Sequence, residues 1–367
     1  MSRYARERRV YFVEEPIWHD GADHIELTRS PEGVQIVVPH LNHGVRDADA
    51  VQASMLRDLF EREEVQCYVA WFYTPMAMPL ASGLRPLATI YDCMDELRAF
   101  KNAPPLLVER ERELFSQAAL VFTGGWALYE RKKSQHHNVH AFPSSVDVPH
   151  FAQARAPQEE PEDQKAIVHP RLGFYGVIDE RMDLELLAAV AAARPDWSFV
   201  LLGPVVKIEP ESLPRAANIH YLGSKTYAEL PRYAAGWDVA LLPFARNEST
   251  EFISPTKTPE YLAAGLPVVS TSIRDVVRPY QALGLVNIAD TGAEFVAACE
   301  TALGDRTGAR LARADEFLKQ LSWDRTWQEM SALVERALLR PSDASGRGSQ
   351  ARDTEHATHV DGIAAGE

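Results

Sequence analysis

The segment that decides the fold reads SPTKTPEYLAAGLPVVST and covers residues 254–271. Its first part predicts a helix. Gly265 follows where a left-handed residue closes a helix, and Pro267 prevents its continuation. The apolar run at 268–270 predicts a short buried strand. A helix that leads directly into such a strand is typical of a parallel α/β sheet.

The same segment carries charged and hydroxyl side chains at the start of its helix. Ser254 or Thr256 can cap this helix, and its first amides would then form an anion site. Lys257 in the first turn opposes the helix dipole unless an anion lies there. Glu260 shares a face with Lys257, and its carboxylate can accept hydrogen bonds from a ribose diol. The alternative is an ordinary exposed Lys–Glu pair on a surface helix.

Outward from this segment, short apolar runs alternate with amphipathic stretches, which predicts two doubly wound α/β domains. We place the first domain at 1–153 and the second at 166–321. An acidic, proline-broken linker at 154–165 joins them. A helix at 322–340 is expected to cross back to the first domain. The remainder, 341–367, has few large apolar residues and is expected to be disordered.

Composition excludes several classes of protein. A 46% hydrophobic content in 367 residues predicts a globular chain, and a net charge of -14 argues against nucleic-acid binding. No apolar run approaches the roughly 20 residues that span a bilayer, and no apolar segment of a signal peptide follows the basic start. We therefore expect a cytoplasmic protein, with contact to the inner face of the membrane left open. The histidines considered for a metal site match no zinc spacing, so no metal is expected; they are His40, His43, His136 and His137.

A family resemblance rests on several motifs. The pattern KxxEYLAAGxPVV at 257–269 resembles the donor-binding segment of group 1 (family 4-like) glycosyltransferases. The similarity extends from RVYFVEEP at 9–16 to the SWD segment that begins at Ser322. Within that family the chain is most similar to the bacterial teichuronic-acid-type transferases. Three motifs carry this similarity: YTPM (73–76), YDCMDE (91–96) and GVIDERMD (176–183).

The resemblance implies a GT-B fold, in which two Rossmann-like domains face a cleft. It also implies a hexosyltransferase that takes a nucleoside diphosphate sugar as donor and a glycan or lipid-linked hydroxyl as acceptor. The donor would bind the second domain and the acceptor the first. No cofactor or metal is implied, and retention of configuration is favoured. The alternatives are a sugar-nucleotide-binding protein without activity and a GT-B sugar-nucleotide 2-epimerase.

The GVIDERMD motif follows the first strand of the second domain, at the sheet edge where ligands bind. The resemblance assigns Gly176 and Arg181 to the donor diphosphate, since a guanidinium matches phosphate oxygens. The alternative is an ion pair of Arg181 with Asp179 or Asp183 that only shapes the loop.

Two further strand ends carry candidate residues. The resemblance places the nucleotide base near Gly223 and Tyr227, although LGSKTY at 222–227 is almost as consistent with a plain turn. In the first domain, related enzymes carry an active-site side chain where this chain has YDCMDE, so we assign Asp95 first and Asp92 second as catalytic. Capping of the following helix by either aspartate is the alternative.

The chain departs from the family pattern in two places. Many members carry a second Glu eight positions before the one equivalent to Glu260, and here that position is Phe252. Either Glu251 meets the donor sugar after a one-residue shift or a backbone group replaces the carboxylate. Relatives also begin with a further strand, so the first sheet is expected to lack a central strand. The strand at 10–13 would then be an exposed edge or be covered by a partner chain.

Overall fold

Two largely parallel β-sheets organise the chain. The computed structural model describes residues 1–305 and 308–339, together with the backbone of one strand near the end of the sequence. The strands that precede the linker are β1 (Val10–Val13), β2 (Ile17–His19), β3 (His24–Arg29), β4 (Gln35–Asn42), β5 (Tyr68–Phe72), β6 (Ala88–Cys93), β7 (Leu120–Thr123) and β8 (Val139–Ala141). The strands that follow it are β9 (Arg171–Tyr175), β10 (Ser198–Leu202), β11 (Ile219–Tyr221), β12 (Val239–Leu242), β13 (Val268–Ser270), β14 (Val286–Ile288) and β15 (Asp361–Ala365).

Helices connect most of these strands and cover the sheets. Those up to the linker are α1 (Ala48–Arg62), α2 (Leu107–Gln117), α3 (Trp126–Lys132), α4 (Val148–Ala152) and α5 (Glu162–Lys165). Those beyond it are α6 (Leu184–Ala193), α7 (Leu230–Ala234), α8 (Lys257–Ala263), α9 (Arg274–Val276), α10 (Gly292–Gly304), α11 (Ala309–Leu318) and α12 (Trp323–Leu339). Helix α12 packs against β6 and β7, so the chain returns to the first domain. In the ranges described, no helix has the length and hydropathy needed to cross a bilayer.

The first sheet runs in the order β2, β4, β1, β15, β5, β6, β7 and β8, with β3 antiparallel on β4. Strand β15 lies parallel to both neighbours, with Ile363 opposite Tyr11 on one side and Ala70 on the other. The predictions of disorder at 361–365 and of an unpaired edge at β1 were therefore wrong. The prediction from composition failed because β15 pairs with both neighbouring strands through backbone groups, which does not require large apolar side chains. The rest of the predicted tail lies outside the described residues.

The second sheet has the order β11, β10, β9, β12, β13 and β14, and all its pairs are parallel. Every residue of β9, β10, β12 and β13 is buried, as expected for a parallel sheet with helices on both faces. The chain runs outward from β9 through β10 to β11 and then crosses to β12 on the other side of β9. The order thus reverses between β9 and β12.

The segment at 154–165 packs on the second domain. Arg155 donates from Nε to the carbonyl oxygen of Ala263 at 2.7 Å. Arg171 at the start of β9 pairs with Glu160. The Arg155 contact attaches the segment to the helix that carries the candidate donor residues, since Ala263 is the last residue of α8, and the Glu160 contact attaches it to β9.

Candidate functional site

The strand order of the second sheet reverses between β9 and β12, so the carboxyl ends of these two strands form its switch point. Ligands of open α/β sheets bind at such switch points. One loop, 176–183, follows β9, and another, 243–256, follows β12. The backbone N–H of Asp183 donates to the carbonyl oxygen of Pro243 at 2.8 Å, which ties the two loops together. The candidate donor residues lie on and around these loops.

Two glycines allow a lysine side chain to lie against the backbone here. Gly176 has a φ of +131°, and a Cβ at this position would lie 2.2 Å from Cε of Lys257. Gly203, which follows β10, has a φ of +141°, and its Cβ would lie 1.9 Å from the carbonyl oxygen of Gly176. Any other residue would therefore displace the lysine or separate the loops. The structure thus brings Gly176 and Lys257 together, and donor binding by either residue stays a prediction.

The ammonium group of Lys257 has no ion-pair partner in the described part of the chain, where no carboxylate oxygen lies within 4.0 Å of Nζ. Nζ lies 5.6 Å from the centre of the Phe174 ring. Burial lowers the pKa of Lys257, and the charge of Glu260 opposes part of this shift. A partly buried cation without a counterion is suited to an anionic ligand.

Glu260, one turn from Lys257, is held by a buried tyrosine. The hydroxyl of Tyr175 donates to Oε2 of Glu260 at 2.7 Å, and the backbone N–H of Tyr175 donates to the hydroxyl oxygen of Tyr261 at 3.0 Å. Burial raises the pKa of Glu260, while the hydrogen bond from Tyr175 and the charge of Lys257 lower it in part. Sequence reasoning found Glu260 but missed Tyr175, because an aromatic residue in a buried strand predicts only a core position.

An aromatic pair lies beside the same carboxylate. The rings of His150 and Tyr227 stack with centres 4.2 Å apart, and His150 Nε2 donates to the carbonyl oxygen of Tyr227 at 2.9 Å. Burial and the nearby charge of Glu260 raise the pKa of Tyr227 to about 12. Gly223 has a φ of +69°, and its carbonyl oxygen accepts from the N–H of Gly203 at 2.8 Å. Sequence reasoning missed His150, because it lies on α4 at the end of the first domain, outside every motif that was singled out.

Arg181 forms the ion pair that was the alternative to a ligand contact. Its Nη2 lies 2.7 Å from Oδ2 of Asp179, and its Nε lies 3.0 Å from both carboxylate oxygens. The guanidinium is also 5.7 Å from the ring centre of Phe100, a residue of the first domain, and Lys207 lies 5.1 Å from the same ring. Arg181 is therefore at the cleft between the domains, and its contact with a donor stays a prediction.

Neither predicted cap forms at the start of α8. Thr256 makes no side-chain cap bond, and Ser254 lies beside Asp275, where it lowers the pKa of that carboxyl in part. Asp275 also accepts from the backbone N–H groups of Trp126 and Ala127, both at 2.8 Å. The capping prediction was wrong because Ser254 takes part in a contact between the domains. Donor binding by Ser254 or Thr256 is left as a prediction.

The position that departs from the family pattern also lies between the domains. Phe252 packs against an apolar cluster of the first domain that includes Phe72 and Leu128. Glu251 beside it is exposed. A carboxylate at 252 would be buried in this apolar contact without a partner, which is costly. The departure therefore has a packing reason, and the contact of Glu251 with a donor sugar stays a prediction.

Asp92 ends β6 in the first domain and is only 4% exposed. The indole Nε1 of Trp71 donates to its Oδ2 at 3.1 Å. Burial raises the pKa of Asp92 to about 6, although the bond from Trp71 lowers it in part. Asp92 can therefore gain or lose a proton near neutral pH. Cys93 next to it is buried in the apolar core, where burial raises the pKa of its thiol.

Asp95 lies on the loop after β6 and is half-buried. The hydrogen bond from Arg181 to Asp179 raises the pKa of Arg181, and the charge of Asp95 raises it further. Asp95 therefore acts electrostatically across the cleft on the candidate donor site. The 3₁₀ turn that follows, Leu97–Ala99, has no side-chain cap, so the capping alternative is not observed.

The histidines considered for metal binding make other contacts. His40 lies 3.1 Å from Glu26, and His136 bonds to the carbonyl oxygen of Ala118 at 3.0 Å. Over the residues placed by the structure, no three His, Cys, Asp or Glu side chains are arranged to hold a metal ion. Activity without a metal stays a prediction.

Comparison with known structures shows the fold. The chain is similar to sucrose-phosphate synthase from Thermosynechococcus elongatus, with a TM-score of 0.68 and 13% identity over 91% of this chain and 90% of that chain. It is similar to a UDP-forming α,α-trehalose-phosphate synthase from Burkholderia xenovorans, with a TM-score of 0.66 and 13% identity over 91% and 100% of the two chains. Anabaena HepE, solved in complex with UDP and glucose, gives a TM-score of 0.64 and 13% identity over 90% and 100%. These similarities confirm the predicted GT-B fold.

Comparison of sequences points to one family. Over 253 residues the chain is 27% identical to a putative teichuronic acid biosynthesis glycosyltransferase, TuaH, of Bacillus subtilis (strain 168). The alignment covers 64% of this chain and 63% of that protein, which is less than two thirds of its length. Residues 169–305 match the profile of the family described as glycosyl transferases group 1, and this range contains Lys257 and Glu260. Residues 169–305, within the second domain, are therefore similar in sequence to the group 1 glycosyl transferases.

Proposed function

We propose that this chain transfers a hexose from a nucleoside diphosphate sugar to a hydroxyl group of a glycan or lipid-linked acceptor. The observation that carries the proposal is the Lys257 ammonium, which has no ion-pair partner among the described residues, one turn from the Glu260 carboxylate at the switch point of the second sheet. A fixed cation suits a diphosphate, and a carboxylate accepts hydrogen bonds from a ribose diol. The family match of residues 169–305 supports the same chemistry.

Lys257 supplies positive charge where the reaction needs it. As the bond between sugar and diphosphate breaks, negative charge grows on the leaving diphosphate. A fixed cation stabilises this charge more strongly in the transition state than in the ground state. Arg181 adds a second cation if it exchanges Asp179 for a phosphate oxygen. Because both cations belong to the chain, we expect donor binding to persist in the presence of EDTA.

The nucleoside is proposed to be uridine. HepE was solved with UDP and glucose, and the similar trehalose-phosphate synthase is described as UDP-forming. In this chain the ribose hydroxyls would donate to Glu260, which Tyr175 holds in place. The base would lie near Gly223 and Tyr227, where stacking on the exposed tyrosine ring stabilises it.

The acceptor is proposed to enter from the first domain. The charge of Asp95 acts across the cleft on Arg181, which supports its assignment as the residue that orients the acceptor hydroxyl. Asp92 lies behind it and is fixed by Trp71. With retention of configuration, which the resemblance favours, a donor phosphate oxygen takes the proton of the acceptor hydroxyl. Asp95 then needs only to position that hydroxyl.

Calorimetric titration of UDP, GDP and ADP into the full chain tests the donor site. Lys257→Met preserves the length of the side chain and removes its charge, so we expect nucleoside diphosphate binding to weaken by about 1.5–3 kcal/mol. Lys319→Met, at an exposed site on α11's C-terminal side, is the matched control and should bind as the wild type does. Equal affinities for the wild type and Lys257→Met, with both proteins folded, would refute the donor site.

Two further measurements separate the parts of the proposal. Glu260→Gln should weaken UDP binding and leave inorganic diphosphate binding unchanged, because only UDP carries the ribose. Equal losses for both ligands would mean that Glu260 does not contact the ribose. Release of UDP from a UDP-hexose in the presence of an acceptor glycan distinguishes an enzyme from a protein that only binds the donor.

A further inference from the structure

Helix α3 of the first domain begins on a carboxylate that the second domain supplies. Gly125, which precedes the helix, provides no side-chain cap. Asp275 of α9 takes this place, because its Oδ2 accepts from the backbone N–H of Trp126 and its Oδ1 from that of Ala127, both at 2.8 Å. A negative charge that accepts from the first amides of a helix stabilises its start. The position of this first turn is therefore fixed by the second domain.

The turn before α3 is in close contact on two sides. A Cβ on Gly125 would lie 2.2 Å from Oδ2 of Asp275 and 2.7 Å from Cβ of Ser254. A Cβ on Gly124 would lie 2.4 Å from the carbonyl oxygen of Met94, in the loop that follows β6. The two glycines thus let the backbone of the turn contact the second domain on one side and the loop after β6 on the other.

The other end of α3 holds the same loop. Lys132, the last residue of the helix, is 1% exposed, and its Nζ donates at 3.0 Å to Oε1 of Glu96, which follows Asp95 in sequence. The same Nζ lies 2.7 Å from Oε1 of Glu111, which accepts from the hydroxyl of Tyr91 at 2.9 Å. Breaking a buried ion pair leaves an uncompensated charge, so this contact ties the loop firmly to α3.

These contacts lead from the second domain to the residue assigned to the acceptor. Asp275 fixes one end of α3, and the helix with its preceding turn holds Met94 and Glu96, the two neighbours of Asp95. We propose that Asp275 is a positioning residue that places Asp95 for the transfer reaction through α3. The inference rests on the proposed function, in which Asp95 orients the acceptor hydroxyl. A displacement of about 1 Å at a reacting group can cost about 100-fold in rate, so a contact outside the site can control it.

Hydrogen exchange of the full chain without ligand tests the contact itself. In Asp275→Asn the amide oxygen still accepts from one backbone N–H, but the NH2 group faces the other and cannot accept. We expect exchange at 94–96 and in the first turn of α3 to be about tenfold faster than in the wild type, with β9 and β12 unchanged. Asp290→Asn is the matched control, because Asp290 accepts from the N–H of Ser272 at 2.8 Å within the second domain. It should leave exchange at 94–96 unchanged.

A second variant disturbs the same contact from the first domain. The Cβ of Gly125→Ala would displace Oδ2 of Asp275, while the extended backbone at this position, with a φ of -174°, accommodates alanine. Gly125→Ala should therefore accelerate exchange at 94–96 as Asp275→Asn does, and it replaces that variant if the latter is poorly folded.

Kinetics give a readout that a merely structural role would not change. The donors are UDP-glucose, UDP-galactose and UDP-N-acetylglucosamine, and the acceptors are octyl glucoside, maltose and N-acetylglucosamine. With the most active pair, kcat of Asp275→Asn should fall about tenfold or more, while the affinity for UDP changes less than twofold. If Asp275 acts through Asp95, the double variant with Asp95→Asn should lose no more activity than Asp95→Asn alone.

Several outcomes overturn the proposal. Unchanged exchange at 94–96 in Asp275→Asn, faster exchange in both sheets alike, or the same effect in Asp290→Asn would each show that Asp275 does not place this loop. Multiplied losses of activity in the double variant would show that it does not act through Asp95. The proposed function would survive these results, since UDP would still bind through Lys257. Absence of UDP binding in the wild type would refute the proposed function, and with it a role in transfer, even where exchange at 94–96 depends on Asp275.

Discussion

Replacing Asp92 with asparagine should stabilise the protein at neutral pH. The buried carboxyl keeps its shape as an amide, and the amide oxygen can still accept from Nε1 of Trp71. What changes is the charge, which burial disfavours. The folded state of the wild type therefore loses stability as this group ionises, and the variant does not.

The pKa of Asp92 gives the magnitude. Burial raises it from 3.8 to about 6. An acid whose pKa is higher in the folded state than in the unfolded state stabilises the folded state while it is protonated. This stability is fully present below the pKa of the unfolded state and is lost as the pH rises through the pKa of the folded state. A rise of about two pKa units lowers the free energy of unfolding of the wild type by about 3 kcal/mol at pH 7.5, relative to strongly acidic solution. About 1.5 kcal/mol of this loss has already occurred at pH 5. The advantage of Asp92→Asn should thus grow by about 1.5 kcal/mol between these two pH values.

Urea unfolding of the wild type and Asp92→Asn at pH 5 and pH 7.5 measures this difference, with hydrogen exchange of β6 as the readout specific to the first domain. An advantage of the same size at both pH values would show that the carboxyl is not held against ionisation. We also expect the variant to lose transferase activity, since Asp92 is a candidate catalytic residue. Stability and activity would then change in opposite directions.

Three further predictions concern other contacts. Tyr175→Phe removes a hydrogen bond that lowers the pKa of Glu260, so Glu260 should take up a proton at a higher pH than in the wild type. Calorimetry at decreasing pH should therefore show the loss of UDP affinity beginning at a higher pH in the variant. The same pH dependence in both proteins would exclude this positioning role. Gly125→Ala places a Cβ 2.2 Å from Oδ2 of Asp275 and should lower stability by about 1–3 kcal/mol in thermal unfolding, whereas a neutral effect would mean that the domains separate freely. Ile363→Pro removes a backbone donor from β15 and should accelerate hydrogen exchange in both flanking strands, and unchanged exchange would contradict the pairing.

Much of the fold could be predicted because it follows from local patterns. The stretch around Gly265 specifies a helix, its end and the next strand, and Gly265 has the left-handed φ of +85° that the sequence led us to expect. The pairing of β15 could not be predicted from local patterns. It depends on a gap between β1 and β5 and on backbone groups far apart in sequence, and the residues of β15 resemble those of an unstructured tail.

The candidate site was predictable where charge conflicts with local structure. Lys257 in a first turn is unfavourable alone, which pointed to a ligand. Tyr175 and His150 carry no such conflict, and their roles come from contacts with Glu260 and Tyr227.

Strand β15 also affects the order in which the chain can fold during synthesis. Domains usually fold as they emerge from the ribosome, beginning with the one nearest the start. Here the segment at 166–321 contains all the strands of the second sheet, so that domain can fold while later residues are still being added. The first sheet can close between β1 and β5 only after Ala365 has been translated. The domain made first is therefore completed last, and until then it presents two unpaired strand edges to the cell.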